Sequence, residues 1–281
     1  MATLSLVGAA LGFSTIAIFT TLLTGAGIPL LTAMAGRYVF ASLVLVPVAG
    51  GLVAMKLPRG KAFRIGVIGG SGQSLIAFLS LSALAYVPAA TLVFLFYTFP
   101  AWVALRAAIL RTERLNGRRL FSLALSFGGV GVMVGWPGAG DVHPLGATLG
   151  LSAALVYALF IPLIDRLREG VSAVVSTAWV CIGATVIFTV AALVMHDVVI
   201  PRSPAPWIWM AGLGVISTAV AFTLFLRGLE VLGPLHTAIV TTTEPFFVAT
   251  LAALVLGQPI RVETVAGGSL IAVAVLLLQR K

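Results

Sequence analysis

Two stretches decide the fold: GAALGFS at residues 8–14 and GATLGLS at residues 146–152. They carry Gly, Ala, Leu, Gly and Ser at the same positions, 138 residues apart. Further along the chain the offset becomes 145, which aligns Gly69 with Gly214 and Pro100 with Pro245. Ordered glycine and proline landmarks indicate an internal repeat. The sequence therefore predicts two copies of one unit, at residues 1–138 and 139–281.

The composition places this chain in a membrane. Of its 281 residues 60% are hydrophobic and only 9% are charged, whereas about 25% are charged in a soluble domain. The formal charge of +9 sits in short clusters between long apolar runs, which is typical of membrane orientation signals and argues against nucleic-acid binding. The one cysteine, Cys181, excludes an intramolecular disulfide and a cysteine-based metal site.

Uncharged runs and their breakers predict the membrane spans. Residues 65–105 contain no charge, and a run of about 41 helical residues is long enough to cross a bilayer twice. Backbone amides inside a bilayer must be satisfied within the protein, so the spans are helices. Ten are predicted, near residues 4–24, 29–54, 63–86, 88–109, 118–136, 144–164, 171–195, 207–228, 234–256 and 262–279.

The basic residues predict the orientation. If the N-terminus lies in the cytoplasm, thirteen Lys and Arg residues fall in loops or termini on that side, against Arg202 and Arg261 on the other. Both termini are therefore expected in the cytoplasm. No positive charge precedes Arg37, so we expect the first segment to stay in the membrane rather than to be cleaved.

Five spans per copy is an odd number, so the second copy enters the bilayer from the opposite side. The predicted fold class is an all-α membrane protein with ten transmembrane helices arranged as two inverted five-helix repeats. Inverted repeats are typical of secondary transporters, in which a central site opens alternately to either side. That step toward function is an analogy between folds.

A belt of polar side chains is predicted about ten residues into the spans, close to the bilayer midplane. Each copy contributes to it, and we interpret its members as residues of the substrate site or pathway. They are Ser14, Arg37, Gln73, Tyr97, Thr98, Ser152, Thr218, Thr243 and Glu244, and Thr242 lies in the belt as the repeat partner of Tyr97.

Two prolines at equivalent positions, Pro100 and Pro245, are predicted to bend the fourth and ninth spans. Two residues later each copy has an aromatic ring, Trp102 or Phe247. These rings either pack against a substrate or face lipid. For the repeated glycines, helix packing is the favoured interpretation.

Other candidates also have two interpretations. The hydroxyls of Ser14 and Ser152 either line a cavity or bond to their own helices. Arg37 and Glu244 each cost on the order of 3 kcal/mol to place at mid-depth. They either form an ion pair with each other or act directly, Arg37 on a carboxylate and Glu244 on an ammonium group or a coupling proton.

The sequence resembles the drug/metabolite transporter superfamily, in its ten-helix form with two EamA-type repeats. The resemblance lies in the two opening motifs, in AGRYVFASLVL (residues 35–45), in TFPAWVALRAAILRTERL (98–115) and in TEPFFVATLAALVLGQPI (243–260). It covers nearly the whole chain. The second copy departs from the pattern at Gln258, where the first has Glu113.

The resemblance implies a multi-pass carrier of the bacterial inner membrane, similar to YddG-type exporters of aromatic and other amino acids. The expected function is export of small metabolites, amino acids above all, by alternating access through a central cavity. A multidrug or lipophilic-cation exporter of the same fold is the alternative. No cofactor or metal is expected, and the protein is expected to act as a monomer or weak homodimer.

An intramembrane enzyme is disfavoured. The three histidines, His143, His196 and His236, lie near the ends of predicted spans, and no His-Glu-x-x-His or Gly-x-Ser-x-Gly pattern occurs. Hydrolytic zinc or serine chemistry needs such arrangements. A channel is a further alternative, but paired proline bends beside a polar belt fit alternating access better.

Overall fold

A computed structural model describes residues 1–83, 85–87, 89–112, 116–134, 143–257 and 262–279. Glu113 and Gln258 lie outside these residues. Every regular element within them is helical. The α-helices are α1 Ala2–Gly25, α2 Leu30–Val48, α3 Gly51–Ala54, α4 Arg59–Arg64, α5 Gly70–Ala83, α6 Ala89–Phe96, α7 Phe99–Ile109, α8 Gly117–Val134, α9 Pro144–Leu167, α10 Ala173–Val194, α11 Pro204–Gly214, α12 Ala221–Thr241, α13 Glu244–Leu256 and α14 Val262–Gln279.

Two π-helical segments interrupt long helices. The segment Ile65–Gly69 joins α4 to α5, and the segment Val215–Val220 joins α11 to α12. They lie in the third and eighth predicted spans, which occupy equivalent places in the two copies. The apolar pattern of the sequence did not predict them.

The membrane class of the chain is confirmed. Within the described residues seven helices are long and apolar enough to cross a membrane, and two shorter apolar helices follow at Glu244–Val255 and Val262–Leu277. Large apolar side chains are exposed, among them Leu43, Val194 and Leu254. Such side chains are stable at a surface only where lipid covers it.

Glycines decide where two of the spans end. The second span was predicted to reach residue 54, but α2 ends at Val48 because Gly50 and Gly51 have φ angles of 93° and 79°. Only glycine adopts that region without a Cβ clash. The predicted boundary between the eighth and ninth spans coincides with a break at Gly233, whose φ is 75° and ψ is 173°.

The chain forms two compact units. Unit A contains Thr3–Ser74 and Leu163–Arg227, and unit B contains Leu75–Pro162 and Gly228–Lys281. Each unit draws on both predicted repeats, so the compact units differ from the copies defined by sequence. The copy boundary at residues 138 and 139 stays a prediction.

In unit A, α2 packs along α10. The rings of Tyr38 and Phe188 stack between them with centroids 5.5 Å apart. The first π-helical segment also packs on α10, where a Cβ on Gly183 would overlap the carbonyl oxygen of Gly66. Cys181 is fully buried on α10. Gly66 and Gly183 thus allow the backbones of the first π-helical segment and α10 to approach closely, as small residues commonly do between membrane helices.

In unit B, α8 packs along α14 in the same manner. A Cβ on Gly129 would lie 2.7 Å from the carbonyl oxygen of Gly267. The helices α2 and α10 are the second predicted spans of the two copies, and α8 and α14 are the fifth. Pairing of corresponding helices fits an internal repeat.

The glycines of the opening motifs also serve packing. A Cβ on Gly12 would lie 2.7 Å from the Cβ of Ala221 in unit A. A Cβ on Gly146 would lie 2.6 Å from the side chain of Val87 in unit B. Both distances are too short for a real side chain, so glycine is required for these approaches.

Candidate functional site

Arg37 is a buried cation on α2 of unit A, with 5% of its surface exposed. Its Nε donates a hydrogen bond to Oγ1 of Thr218 at 2.6 Å. Its Nη1 lies 3.9 Å from the sulfur of Met34, and its Cζ lies 5.1 Å from the centroid of the Tyr38 ring. All three partners are neutral. The positive charge is therefore solvated by dipoles and a ring rather than neutralised by these contacts.

The second π-helical segment orients the hydroxyl that holds Arg37. Thr218 lies inside this segment and donates its hydroxyl proton to the carbonyl oxygen of Leu213 at 2.9 Å. That carbonyl is five residues earlier, whereas a threonine in an α-helix reaches the one three or four residues earlier. Because the proton points at Leu213, a lone pair of the hydroxyl faces Arg37. π-Helical segments occur frequently at functional sites.

Gln73, on α5, is half-buried and lies beside the hydroxyl of Tyr38. That hydroxyl is buried and makes no hydrogen bond within the described part of the chain. Arg37, Tyr38, Gln73 and Thr218 thus form one polar group, which we call the arginine cluster. Three of its members were sequence candidates, and Tyr38 was not.

Ser14 bonds to its own helix, donating to the carbonyl oxygen of Leu11 at 2.6 Å. The neighbouring Thr15 also donates to its own helix, to the carbonyl oxygen of Gly12 at 2.7 Å, and its Oγ1 lies 2.5 Å from Oγ of Ser217 on another element. Thr15 and Ser217 were not selected from the sequence, although each directly adjoins a residue that was. The hydroxyl equivalent to Ser14, Ser152 on α9, is half-buried.

The fourth and ninth spans are both interrupted, and both interruptions lie in unit B. The helix α6 ends at Phe96 before α7 begins at Phe99, and α12 ends at Thr241 before α13 begins at Glu244. Pro100 and Pro245 are each the second residue of the helix that follows. A proline has no N–H to donate, so the helical bond to the carbonyl four residues earlier is lost.

The residues at the two interruptions have nearly the same conformation. Thr98 has φ −72° and ψ −13°, and Thr243 has φ −71° and ψ −17°. Each hydroxyl donates to the carbonyl oxygen three residues earlier, at 2.7 Å for Thr98 and 2.9 Å for Thr243. Thr242 does the same at 2.6 Å. The threonines therefore satisfy acceptors near each break.

Glu244 begins α13, where a carboxylate is favoured by the partial positive charge of a helix N-terminus. It is half-buried, and the buried side chain of Tyr97 lies close enough to interact with it. Tyr157, on α9, is close enough to Glu244 to interact with it electrostatically. The ring of Tyr157 lies 4.7 Å from that of Phe99 and 5.4 Å from that of Phe96, centroid to centroid. We call these five residues the glutamate cluster.

Sequence reasoning selected Tyr97 and Glu244 but missed Tyr157. A signal was available, because Tyr157 is one of only four tyrosines in the chain and lies about thirteen residues into its span. Trp102 is half-buried on α7, and its indole N–H, which no solvent reaches, makes no hydrogen bond within the described residues. The ring of Phe247 contacts that of Phe246 edge-on at 5.8 Å.

The described residues contain no group of three or more His, Cys, Asp or Glu side chains that could hold a metal ion. Arg37 and Glu244 lie in different units. The structure thus places five of the predicted polar residues in two clusters, with Arg37, Gln73 and Thr218 around a cation and Tyr97 and Glu244 around a carboxylate, while Ser14, Thr98, Thr242 and Thr243 bond to backbone carbonyls nearby in the chain.

The EamA-like transporter family model matches residues 1–135 and again residues 144–280. The chain belongs to the EamA-like transporter family. This EamA-like chain is 27% identical over 187 residues to an uncharacterized transporter of Archaeoglobus fulgidus, and the alignment covers 66% of each protein. It therefore spans slightly less than two thirds of that relative's length.

The fold also matches a solved crystal structure. The TM-score is 0.83 at 20% sequence identity, covering 99% of the EamA-like chain and 96% of the other. At that identity the likeness shows the fold alone. Together with the apolar helices, the family match establishes a multi-pass membrane protein of a transporter family, within the drug/metabolite transporter superfamily.

Proposed function

We propose that this EamA-like chain is a secondary transporter that exports amino acids, aromatic ones included, from the cytoplasm by alternating access. The family supports transport, and the paired helix interruptions support a moving pathway. Interrupted helices at corresponding positions of two repeats are where transporters bind substrates. The proposed location is a bacterial inner membrane, with both termini in the cytoplasm as the basic residues predict.

The observation that carries the amino-acid proposal is the arginine cluster. Arg37 is buried inside a predicted span, and its contacts are a hydroxyl, a thioether and a ring. A charge at that depth is costly, and charged residues within spans usually serve substrate or ion pathways. A carboxylate is the ligand that a guanidinium binds best, through two parallel hydrogen bonds. Every amino acid carries a carboxylate.

The glutamate cluster supports the remaining features of the proposal. Its carboxylate can carry a coupling proton. The surrounding rings of Phe96, Phe99 and Tyr157 provide the apolar and edge-on contacts that an aromatic side chain prefers.

One observation favours the alternative, a lipophilic-cation exporter. A carboxylate surrounded by aromatic rings also binds organic cations, through charge and cation–π attraction. Export of lipophilic cations would depend on Glu244 and not on Arg37. The two functions therefore predict different patterns of loss when each residue is replaced.

The test is transport into proteoliposomes of the purified chain, with a panel of labelled amino acids and one lipophilic cation, with and without a pH gradient. Arg37→Gln should reduce amino-acid transport about tenfold or more, because a lost charge-assisted hydrogen bond is worth about 1.5–3 kcal/mol. Cation transport should be much less affected. Arg202→Gln, which removes an exposed arginine, is the matched control.

Glu244→Gln distinguishes the two functions further, and Glu263→Gln, at an exposed site on α14, is its control. If transport by Glu244→Gln no longer responds to a pH gradient, while transport by Glu263→Gln still does, the coupling proton is assigned to Glu244. Normal amino-acid transport by a well-folded Arg37→Gln protein would overturn the amino-acid proposal. Cation transport that depends on Glu244 but not on Arg37 would support the alternative.

A further inference from the structure

A cavity of about 500 Å³ opens in unit A where the start of α4 meets the end of α9. Its lining includes Lys61 and Arg64 from the α4 side and Arg166, Leu167 and Glu169 from the α9 side. None of these was a candidate for the transport pathway. The volume lies within the range of small-ligand sites, about 300–1,000 Å³.

Among the described residues, the lining of the cavity holds three cations and one carboxylate. Lys61 donates from Nζ to the backbone carbonyl oxygen of Glu169, which ties its two sides together. The side chains of Arg64 and Arg166 are exposed, and neither guanidinium makes a hydrogen bond or ion pair within the described part of the chain. By contrast, the neighbouring Arg168 is buried and bonded to Asp165 at 3.1 Å. Two guanidinium groups are thus available to an anion, and their geometry suits the oxygens of a phosphate.

Exposed apolar side chains lie close in the chain to the basic residues of the cavity, as on a lipid-facing surface. Phe63, between Lys61 and Arg64 in the chain, is 66% exposed, and Leu163, one turn before Leu167, is 42% exposed. Basic side chains next to exposed apolar ones are typical of the boundary between headgroups and acyl chains. A free anion would gain nothing from such exposed apolar side chains, whereas a phospholipid could cover them with its tails.

We propose that this cavity binds the phosphate headgroup of an anionic phospholipid. On the predicted orientation the lipid belongs to the cytoplasmic leaflet, where basic pockets between helices bind such headgroups. The inference concerns a surface site and does not depend on which substrate the transporter carries.

The test measures binding of dioctanoyl phosphatidylglycerol, dioctanoyl phosphatidylcholine and inorganic phosphate to the full chain in detergent, by native mass spectrometry and by thermal stabilisation. Phosphatidylglycerol should bind most tightly, and rising NaCl should weaken it. The double variant Arg64→Gln/Arg166→Gln should weaken it on the order of tenfold. Glu169→Gln should strengthen it, because that change removes the one negative charge and leaves the backbone acceptor of Lys61 in place.

The double variant Arg111→Gln/Arg118→Gln is the matched control. It removes two exposed arginines from the same predicted side but from unit B. Equal affinity for the two lipids would overturn the proposal, as would equal loss in both double variants. Inorganic phosphate binding as tightly as phosphatidylglycerol would show a free-phosphate site and overturn the lipid assignment. If Arg64→Gln/Arg166→Gln does not fold, the effect of NaCl and of Glu169→Gln on phosphatidylglycerol binding still tests the proposal.

Discussion

At the scale of single residues, the bond between Arg37 and Thr218 is the central feature of the candidate site. The sequence indicated that both residues lie near mid-depth, but it did not pair them. The sequence offers Glu244 as a possible ion-pair partner of Arg37, because opposite charges are the partners that a sequence makes visible. The hydroxyl of Thr218, 181 residues from Arg37 in the chain, can accept this bond because its own proton is donated to a backbone carbonyl. The hydrophobic periodicity of the sequence does not indicate such an arrangement.

We expect Thr218→Val to destabilise the protein and to reduce amino-acid transport. The change keeps the shape of the side chain but leaves Nε of Arg37 without its acceptor, at a cost of about 1–3 kcal/mol. The melting temperature in detergent and transport in proteoliposomes measure the two effects. Thr250→Val is the control, because that hydroxyl donates only within its own helix, to Phe246 at 2.8 Å. Equal effects of the two changes would contradict the role given to Thr218.

At the scale of elements, the sequence predicted the helices and the two proline interruptions, but it did not predict the two π-helical segments. Uncharged runs predicted the spans, since each long apolar run must form a helix that satisfies its own backbone. The prolines marked the interruptions of the fourth and ninth spans, because a missing N–H is visible in the sequence. The π-helical segments were not predictable, since one extra residue in a turn barely alters an apolar pattern.

Adjacent glycines of α8 provide a test of helix packing. A Cβ on Gly128 would meet nothing within 4 Å, whereas one on Gly129 would lie 2.7 Å from the carbonyl oxygen of Gly267. Gly128→Ala should therefore leave stability unchanged or raise it by up to about 1 kcal/mol, as helix propensity predicts. Gly129→Ala should lower the melting temperature clearly, because backbone must move. Similar melting temperatures for the two variants would contradict the packing of α8 on α14.

Replacing the interrupting prolines should affect movement more than folding. We expect Pro245→Ala to slow transport several-fold while the melting temperature stays the same or rises, because an alanine restores the N–H that helix continuity requires. Pro204→Ala is the control, since Pro204 is the first residue of α11, where no helical partner for its N–H exists. Unchanged transport by a folded Pro245→Ala protein would argue against a role of this interruption in the transport cycle.

At the scale of the whole molecule, the repeat was visible in the sequence, and the family model matches twice. The compact units were not visible, because they combine segments that are distant in the chain, such as Thr3–Ser74 with Leu163–Arg227. The basic cavity was missed for the same reason. In the sequence its arginines belong to separate loops and indicate orientation, and only the fold brings the two loops to one place.

The orientation predicted from the basic residues can be tested by labelling. In intact cells a membrane-impermeant maleimide should label Ser203→Cys, in the loop expected outside, and should not label Thr112→Cys, in a loop expected inside. Both positions are exposed, and permeabilised cells should allow labelling of both. Labelling of Thr112→Cys alone in intact cells would reverse the orientation.

The burial of Cys181 makes such experiments simpler than they usually are. The one native thiol is packed within unit A with none of its surface exposed, so reagents in water should leave the unmodified chain unreacted. The unmodified chain can therefore serve as the background for single-cysteine variants. Spectroscopic probes can be attached one at a time to cysteines placed at exposed positions such as Thr112 and Ser203, and the signal of each will report motion at its own position during turnover.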